Sequence, residues 1–76
     1  FFTIELKLIS AKKIRFSPHQ IGFHIKHPHN SFICKKTLGP SSIKLYEGHQ
    51  IQDLISGIDE PIATGLDKIF AFLKKI

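Results

Sequence analysis

The first residues of the chain alternate strictly between apolar and polar side chains. The even positions from 2 to 8 are apolar, whereas Thr3, Glu5 and Lys7 between them are polar. Because successive side chains of a strand point to opposite faces of a sheet, this pattern predicts a half-buried β-strand over 2–9. We expect the even-numbered face to pack against the core, with Glu5 and Lys7 in solvent.

A helix start follows this strand. Ser17 is a favoured N-cap residue, Pro18 suits the first helical position, and Gln20 stands three residues after the serine, which is the spacing of a capping box. Pro28 is incompatible with continuing the helix. The sequence therefore predicts a helix from Pro18 to about His27.

The rest of the chain predicts three strands and a second helix. Turn residues separate the strand candidates, at 31–37, 42–46 and 50–56, of which 42–46 is either a short strand or a helical turn. The Asp59–Pro61 segment places two acidic residues and a proline before apolar residues at helical spacing, which is typical of a helix start. We predict an α+β fold, an open-faced sandwich of about four mostly antiparallel strands with two helices on one face.

Length, charge and cysteine content limit the protein class. The 76 residues predict one domain over 1–76, and 11 basic against six acidic residues leave a formal charge of +5, which favours anionic partners. The single Cys34 excludes an internal disulfide framework and fits a reducing compartment, so we expect a cytoplasmic protein. No apolar run approaches 18 residues, and we expect no membrane partner. The chain contains no Met, even at position 1, so we expect a fragment, a processed product or an excised domain.

Two segments resemble HPr, the histidine phosphocarrier of the bacterial sugar phosphotransferase system. The segment EGHQIQDLISGIDEPIATGLDKIFAFL is similar to the family's final strand and helix, and the positions that fall in register are Gly48, Gly57, Asp59, Glu60 and Ala63. Near the N-terminus, KIRFSP stands where the family has Gly-Leu-His-x-Arg-Pro, and Ser31-Phe32-Ile33 follows at the family's spacing. The resemblance covers about four-fifths of the chain and implies a single HPr-like domain.

The chain departs from the family at the residues that carry phosphate. Arg15 stands in the position of the phosphorylated histidine, Ser17 in that of the following arginine, and Lys13 in that of the glycine. A guanidinium is cationic at any working pH and cannot act as the nucleophile. The resemblance therefore implies a non-catalytic relative, not an enzyme, that serves as a protein-binding or regulatory module. A phosphocarrier that uses the displaced His19 is an alternative.

The candidate binding site is the N-terminus of the first helix. Arg15, Ser17 and His19, with Lys13 and Phe16, present a positive, donor-rich surface to an acidic or phosphorylated protein partner. Exposed apolar side chains are expected to add contact area there, namely Ile14, Phe16 and Ile21. The alternative is a small basic RNA-binding domain that uses two basic clusters, one at Lys12, Lys13 and Arg15 and one at Lys35 and Lys36.

The histidines and the cysteine are candidate metal ligands. His24, His27 and His29 are spaced H-x-x-H-x-H across a helix end, a pattern that can share a metal. The pattern runs into a proline-containing turn and Cys34 is not at ligand spacing, so solvated surface histidines are the favoured interpretation. We expect no metal site, no cofactor and no catalytic residue. Cys34 is expected to be a structural thiol.

Overall fold

The structure is a computed structural model that describes residues 2–9, 14–37 and 43–75. Four strands, three α-helices and one 3₁₀ turn follow one another along the chain. In chain order they are β1 Thr3–Ile9, α1 Pro18–Lys26, β2 Ser31–Thr37, β3 Ile43–Glu47, the 3₁₀ turn Gly48–Gln50, α2 Ile51–Ser56, β4 Ala63–Thr64 and α3 Leu66–Leu73.

The four strands form one open mixed sheet in the order β1-β2-β3-β4. β1 lies parallel to β2, with Ile4 beside Phe32 and Leu6 beside Cys34. The other two pairings are antiparallel. The prediction of an α+β fold with about four mostly antiparallel strands is therefore confirmed.

Helices cover both faces of this sheet. On one face, α1 and α2 pack over a cluster formed by Ile33, Tyr46, Ile51 and Leu54. On the other face, Ile69 of α3 packs over a second cluster, formed with Phe32, Cys34 and Leu45. The two helices predicted from sequence, α1 and α3, thus lie on opposite faces. The residues of β2 and β3 are apolar on both sides, so each face needs a helical cover.

The start of α1 has the local structure that its sequence predicts. The Ser17 hydroxyl accepts a hydrogen bond from the Gln20 N–H (3.2 Å), and the Gln20 side chain accepts one from the Ser17 N–H (2.8 Å). The capping box and the proline at the helix start are therefore confirmed. The helix ends at Lys26, one residue before the predicted end.

The segment predicted as a strand at 50–56 is helical. Ile51 and Leu54, three residues apart, are both buried, which is the spacing of one helix face. The helix ends in a Schellman motif, because the Gly57 N–H donates to Leu54 O and the Ile58 N–H to Asp53 O. Gly57 has a φ of 93°, which a glycine adopts without a steric penalty.

The last helix begins at Leu66, seven residues later than Asp59. Ala63 and Thr64 form β4 beside β3, and the flanking residues continue this pairing, with the Ile62 N–H donating to Leu45 O and the Gly65 N–H to Ile43 O. Pairing with the sheet therefore overrides the helix-start pattern of the Asp59–Pro61 segment.

β1 has the predicted alternation of apolar and polar residues. Contrary to the prediction, its polar face is turned toward α1 and its apolar face is exposed. The polar positions Glu5 and Lys7 point toward α1 and are only partly exposed. The apolar positions Ile4, Leu6 and Leu8 are 44%, 60% and 73% exposed. The physical reason is that α3 contacts β3 and β4 at the far side of the sheet, so the apolar face of β1 has no helix above it.

Among the described residues, no helix has the length and apolar character needed to cross a membrane.

Gly48 is a position where a side chain does not fit. A Cβ placed there would lie against Ser31 Oγ and 2.9 Å from His27 O, whereas a Cβ at Gly22 of α1 would meet nothing within 4 Å. We expect Gly48→Ala to lower the free energy of unfolding by about 1–3 kcal/mol through overpacking. Gly22→Ala should raise it by about 0.5–1 kcal/mol. Urea unfolding followed by circular dichroism measures both, and equal effects would contradict this assignment.

Candidate functional site

The N-terminus of α1 is tied to β1 by a lysine. Lys7 Nζ donates to Gln20 Oε1 (2.9 Å), the oxygen that also accepts the Ser17 N–H, and lies 5.1 Å from the centre of the Phe16 ring. The Lys7 charge beside the helix start is therefore engaged inside the fold.

The residues predicted to bind a partner at this helix have different surroundings. Arg15 and His19 are exposed, and Ser17 is exposed but uses its hydroxyl for the cap. Phe16 is partly buried, and it packs with Ile14 and Ile21 against the core cluster under α1 and α2. The prediction that these three apolar side chains are exposed is wrong, because the helix needs them to cover the sheet. Lys13 lies outside the described residues, as does Lys12.

A buried polar network joins α1 to the sheet. His24 is 1% exposed; its Nδ1 lies 2.9 Å from Ser31 Oγ and its Nε2 3.0 Å from Glu5 Oε1. Ser31 Oγ donates its single proton to His27 O (2.5 Å). Both ring nitrogens therefore have a polar partner inside the fold. The expectation of a solvated His24 is wrong, because this network buries the ring.

The order Ser31–His24–Glu5 has the residue types of a hydrolytic triad but not its chemistry. Ser31 is 0% exposed and its hydroxyl donates to a backbone carbonyl instead of to the imidazole. A nucleophile must be accessible to the substrate and hand its proton to the base. This geometry supports a structural role for the three side chains.

A second polar cluster lies on the same face of the sheet, near β3. The Tyr46 hydroxyl donates to Asp59 Oδ1, and Lys44 Nζ lies 3.1 Å and Lys35 Nζ 3.5 Å from Asp59 Oδ2. The Tyr46 hydrogen bond, helped by the two lysines, holds the pKa of Asp59 below its ordinary value against the opposing effect of burial. Burial, reinforced by Asp59, raises the pKa of Tyr46.

A cavity of about 310 Å³ lies beside this cluster, and its lining combines apolar side chains, among them Ile9, Ile14 and Leu54, with polar ones. Its two charged lining residues, Lys35 and Asp59, are paired with each other. The cavity therefore has no unpaired charge among its lining residues that would recognise an ionic ligand.

Cys34 is buried within the core cluster under α3, and burial raises the pKa of its thiol. A buried thiol in apolar surroundings is unreactive. The prediction of a structural cysteine is therefore confirmed.

The exposed face and the free edge of β1 are the most unusual surface of the described chain. β1 is the first strand in the sheet order, so one of its edges has no strand partner within residues 2–9, 14–37 and 43–75. The Thr3 N–H points toward β2, where it donates to Asn30 O (3.1 Å). Because backbone groups alternate in direction along a strand, Ile4, Leu6 and Leu8 direct theirs to the free edge.

Comparisons with known proteins found no matching family model, no matching curated protein and no matching solved structure.

Sequence reasoning missed the buried residues that determine which face of β1 is exposed. Glu5, His24 and Ser31 are far apart in the chain, and neither periodicity nor spacing brings them together. The sequence does contain one signal for this arrangement. Glu5 and Lys7 place an acidic and a basic side chain on one face of β1, and a helix with polar side chains can cover such a face. The α1 residues at positions 20 and 24, a Gln and a His one turn apart, provide that cover.

Ser31→Ala tests the buried network. The change leaves His24 Nδ1 and His27 O without their partner, so we expect a loss of about 1–3 kcal/mol in the free energy of unfolding. The control is Ser56→Ala on the exposed end of α2, with an expected effect within about 0.5 kcal/mol. Chemical denaturation of the two variants measures the difference, and a neutral Ser31→Ala would show that the network does not hold α1.

Asp59 gives the stability an acid dependence. Its pKa is lower in the folded chain than the ordinary 3.8, so the unfolded chain takes up the proton first as the pH falls. The stabilisation is complete above about pH 5 and is lost as the pH falls through the folded-state value. We expect the stability difference between the natural chain and Asp59→Asn to shrink between pH 5 and pH 2.5 in urea titrations. A difference independent of pH would contradict the assigned pKa direction.

Proposed function

We propose that the chain is a non-catalytic protein-interaction module that pairs with a second copy of itself through the edge strand β1. The single observation that carries this proposal is the apolar face of β1, where Leu6 and Leu8 are more than half exposed while Glu5 and Lys7 are turned inward. Contiguous exposed apolar side chains on an unpaired strand edge are typical of a surface that another chain covers.

One register of self-pairing places no like charges of β1 opposite each other. If two copies of β1 run antiparallel with Leu6 opposite Leu6, then Glu5 of each copy lies opposite Lys7 of the other. Opposite charges facing each other across two strands are favourable, whereas like charges are unfavourable. Within each copy, Glu5 also lies 3.0 Å from His24 Nε2 and 3.7 Å from Lys7 Nζ.

The same register continues the apolar face across the two copies. Ile4 of each copy lies opposite Leu8 of the other, and the two Leu6 side chains meet on the two-fold axis. A symmetric pair of this kind uses the same surface twice, which is the commonest form of protein dimer.

The backbone fits this register as well. Ile4, Leu6 and Leu8 direct their N–H and C=O groups to the free edge, and in the antiparallel pair these residues face one another as hydrogen-bonded pairs. The two four-stranded sheets become one sheet of eight strands. Strand addition of this kind is a common mode of protein recognition.

Nucleic-acid binding is less well supported by the geometry. The exposed sheet face presents the aliphatic Ile4, Leu6 and Leu8, which offer no aromatic surface for base stacking. In the second basic cluster, Lys35 is already paired with Asp59 and lies 5.4 Å from the Tyr46 ring. The HPr resemblance and its regulatory role stay predictions, as do an acidic or phosphorylated partner at Arg15 and a phosphocarrier role for His19.

Self-association is tested by measuring mass as a function of concentration. We expect sedimentation equilibrium of the 76-residue chain to give twice its 8.6 kDa as the concentration rises. Leu6→Lys places two like charges opposite each other on the two-fold axis and should leave a monomer. The matched control Ile25→Lys changes an exposed apolar residue of α1, 51% exposed, and should retain the dimer.

Disulfide cross-linking tests the register. In a Cys34→Ala background, Leu6→Cys brings the two Cα atoms to about 5.5 Å, within the range of a disulfide. Leu8→Cys leaves them about 13 Å apart and should not cross-link. A monomer at every concentration would overturn the proposal, and cross-linking through position 8 alone would overturn the register. Displacement of the dimer by generic RNA would favour the nucleic-acid alternative.

A further inference from the structure

Two histidines and one glutamate meet at the end of β3. His29 Nδ1 lies 3.2 Å from Glu47 Oε2, and His49 Nε2 lies 3.7 Å from Glu47 Oε1. One ligand atom from each of the three side chains lies within 4.8 Å of the other two. We propose that His29, Glu47 and His49 bind a divalent transition-metal ion of the zinc class.

The backbone holds the three residues in place although they come from separate parts of the chain. The His49 N–H donates to Pro28 O (3.1 Å), which ties the 3₁₀ turn to the turn that carries His29. The Glu47 N–H donates to Gln50 Oε1 (2.8 Å), and Gln50 Nε2 donates to Glu60 O (2.6 Å). The ligands therefore stand on a fixed frame, and only their side chains need to move.

The donor set indicates which ion fits. Two imidazole nitrogens and one carboxylate oxygen suit zinc and its neighbours in the transition series, whereas calcium and magnesium prefer oxygen ligands alone. Donors at about 2.0 Å from a tetrahedral zinc lie about 3.3 Å apart. The observed separations reach this geometry by small rotations of exposed side chains. Three protein ligands leave the fourth position open to water.

The arrangement differs from the one suggested by sequence spacing. His24 is held in the buried network and cannot turn toward an ion, so the H-x-x-H-x-H pattern does not form the site. His49 is brought to His29 by the fold, with ring centres 5.6 Å apart. The site lies away from the free edge of β1, so its test is independent of the proposed self-association.

Zinc titration of the full 76-residue chain tests the proposal. Isothermal calorimetry with zinc chloride should give one ion per chain, and cobalt(II) should give the visible absorption of a tetrahedral site. His29→Ala and His49→Ala should each weaken binding by more than about tenfold, because even partners outside the ligand set contribute that much. Glu47→Gln should weaken it as well, with circular dichroism to verify the fold.

The matched control is His19→Ala, which removes an exposed histidine at the other end of α1. This variant should bind zinc as the natural chain does. Equal binding by His49→Ala and His19→Ala, or the same loss in both, would overturn the proposal. So would zinc binding that is unsaturable or is abolished by changing only His27.

Discussion

The contact of a buried imidazole with a carboxylate determines how this chain is arranged. His24 of α1 lies between Glu5 of β1 and Ser31 of β2, and Lys7 reaches Gln20 one turn earlier in the same helix. Buried polar groups are costly unless they are paired, so each of these side chains constrains the others. The helix is thereby held over the polar face of β1.

The position of α1 over one face of β1 leaves the opposite face of β1 exposed. Side chains of a strand alternate, so turning Glu5 and Lys7 inward turns Ile4, Leu6 and Leu8 outward. α3 covers the other end of the sheet, over β3 and β4. An apolar strip therefore stands at the free edge of the sheet, and this strip is the surface to which we assign the proposed self-association. The proposed metal site at His29, Glu47 and His49 depends on the far end of α1, because the turn after that helix carries His29.

Local chemistry allowed much of the fold to be predicted. The capping box at Ser17 and the bounds of β2 were predictable because each depends on neighbours within a few residues. The strand predicted at 50–56 was wrong because the apolar side chains at 51, 54 and 55 follow the i, i+3, i+4 spacing of a helix and not the alternation of a strand. Of the predicted partner-binding residues, Arg15 and His19 are exposed, whereas Phe16 is needed for packing. Its burial could not be predicted, since it depends on where α2 lies.

The sequence by itself determined the alternation of β1, the capped start of α1, the α+β class and the excess of positive charge, because these depend on residue type and short-range spacing. Only the tertiary structure decided which face of β1 is buried, on which side of the sheet each helix lies, and which histidines meet. Those outcomes depend on pairing polar groups that are 7 to 19 residues apart in the chain. The free energy of burying such a group depends on the partner that the fold brings to it, and this partner is not specified by short-range spacing.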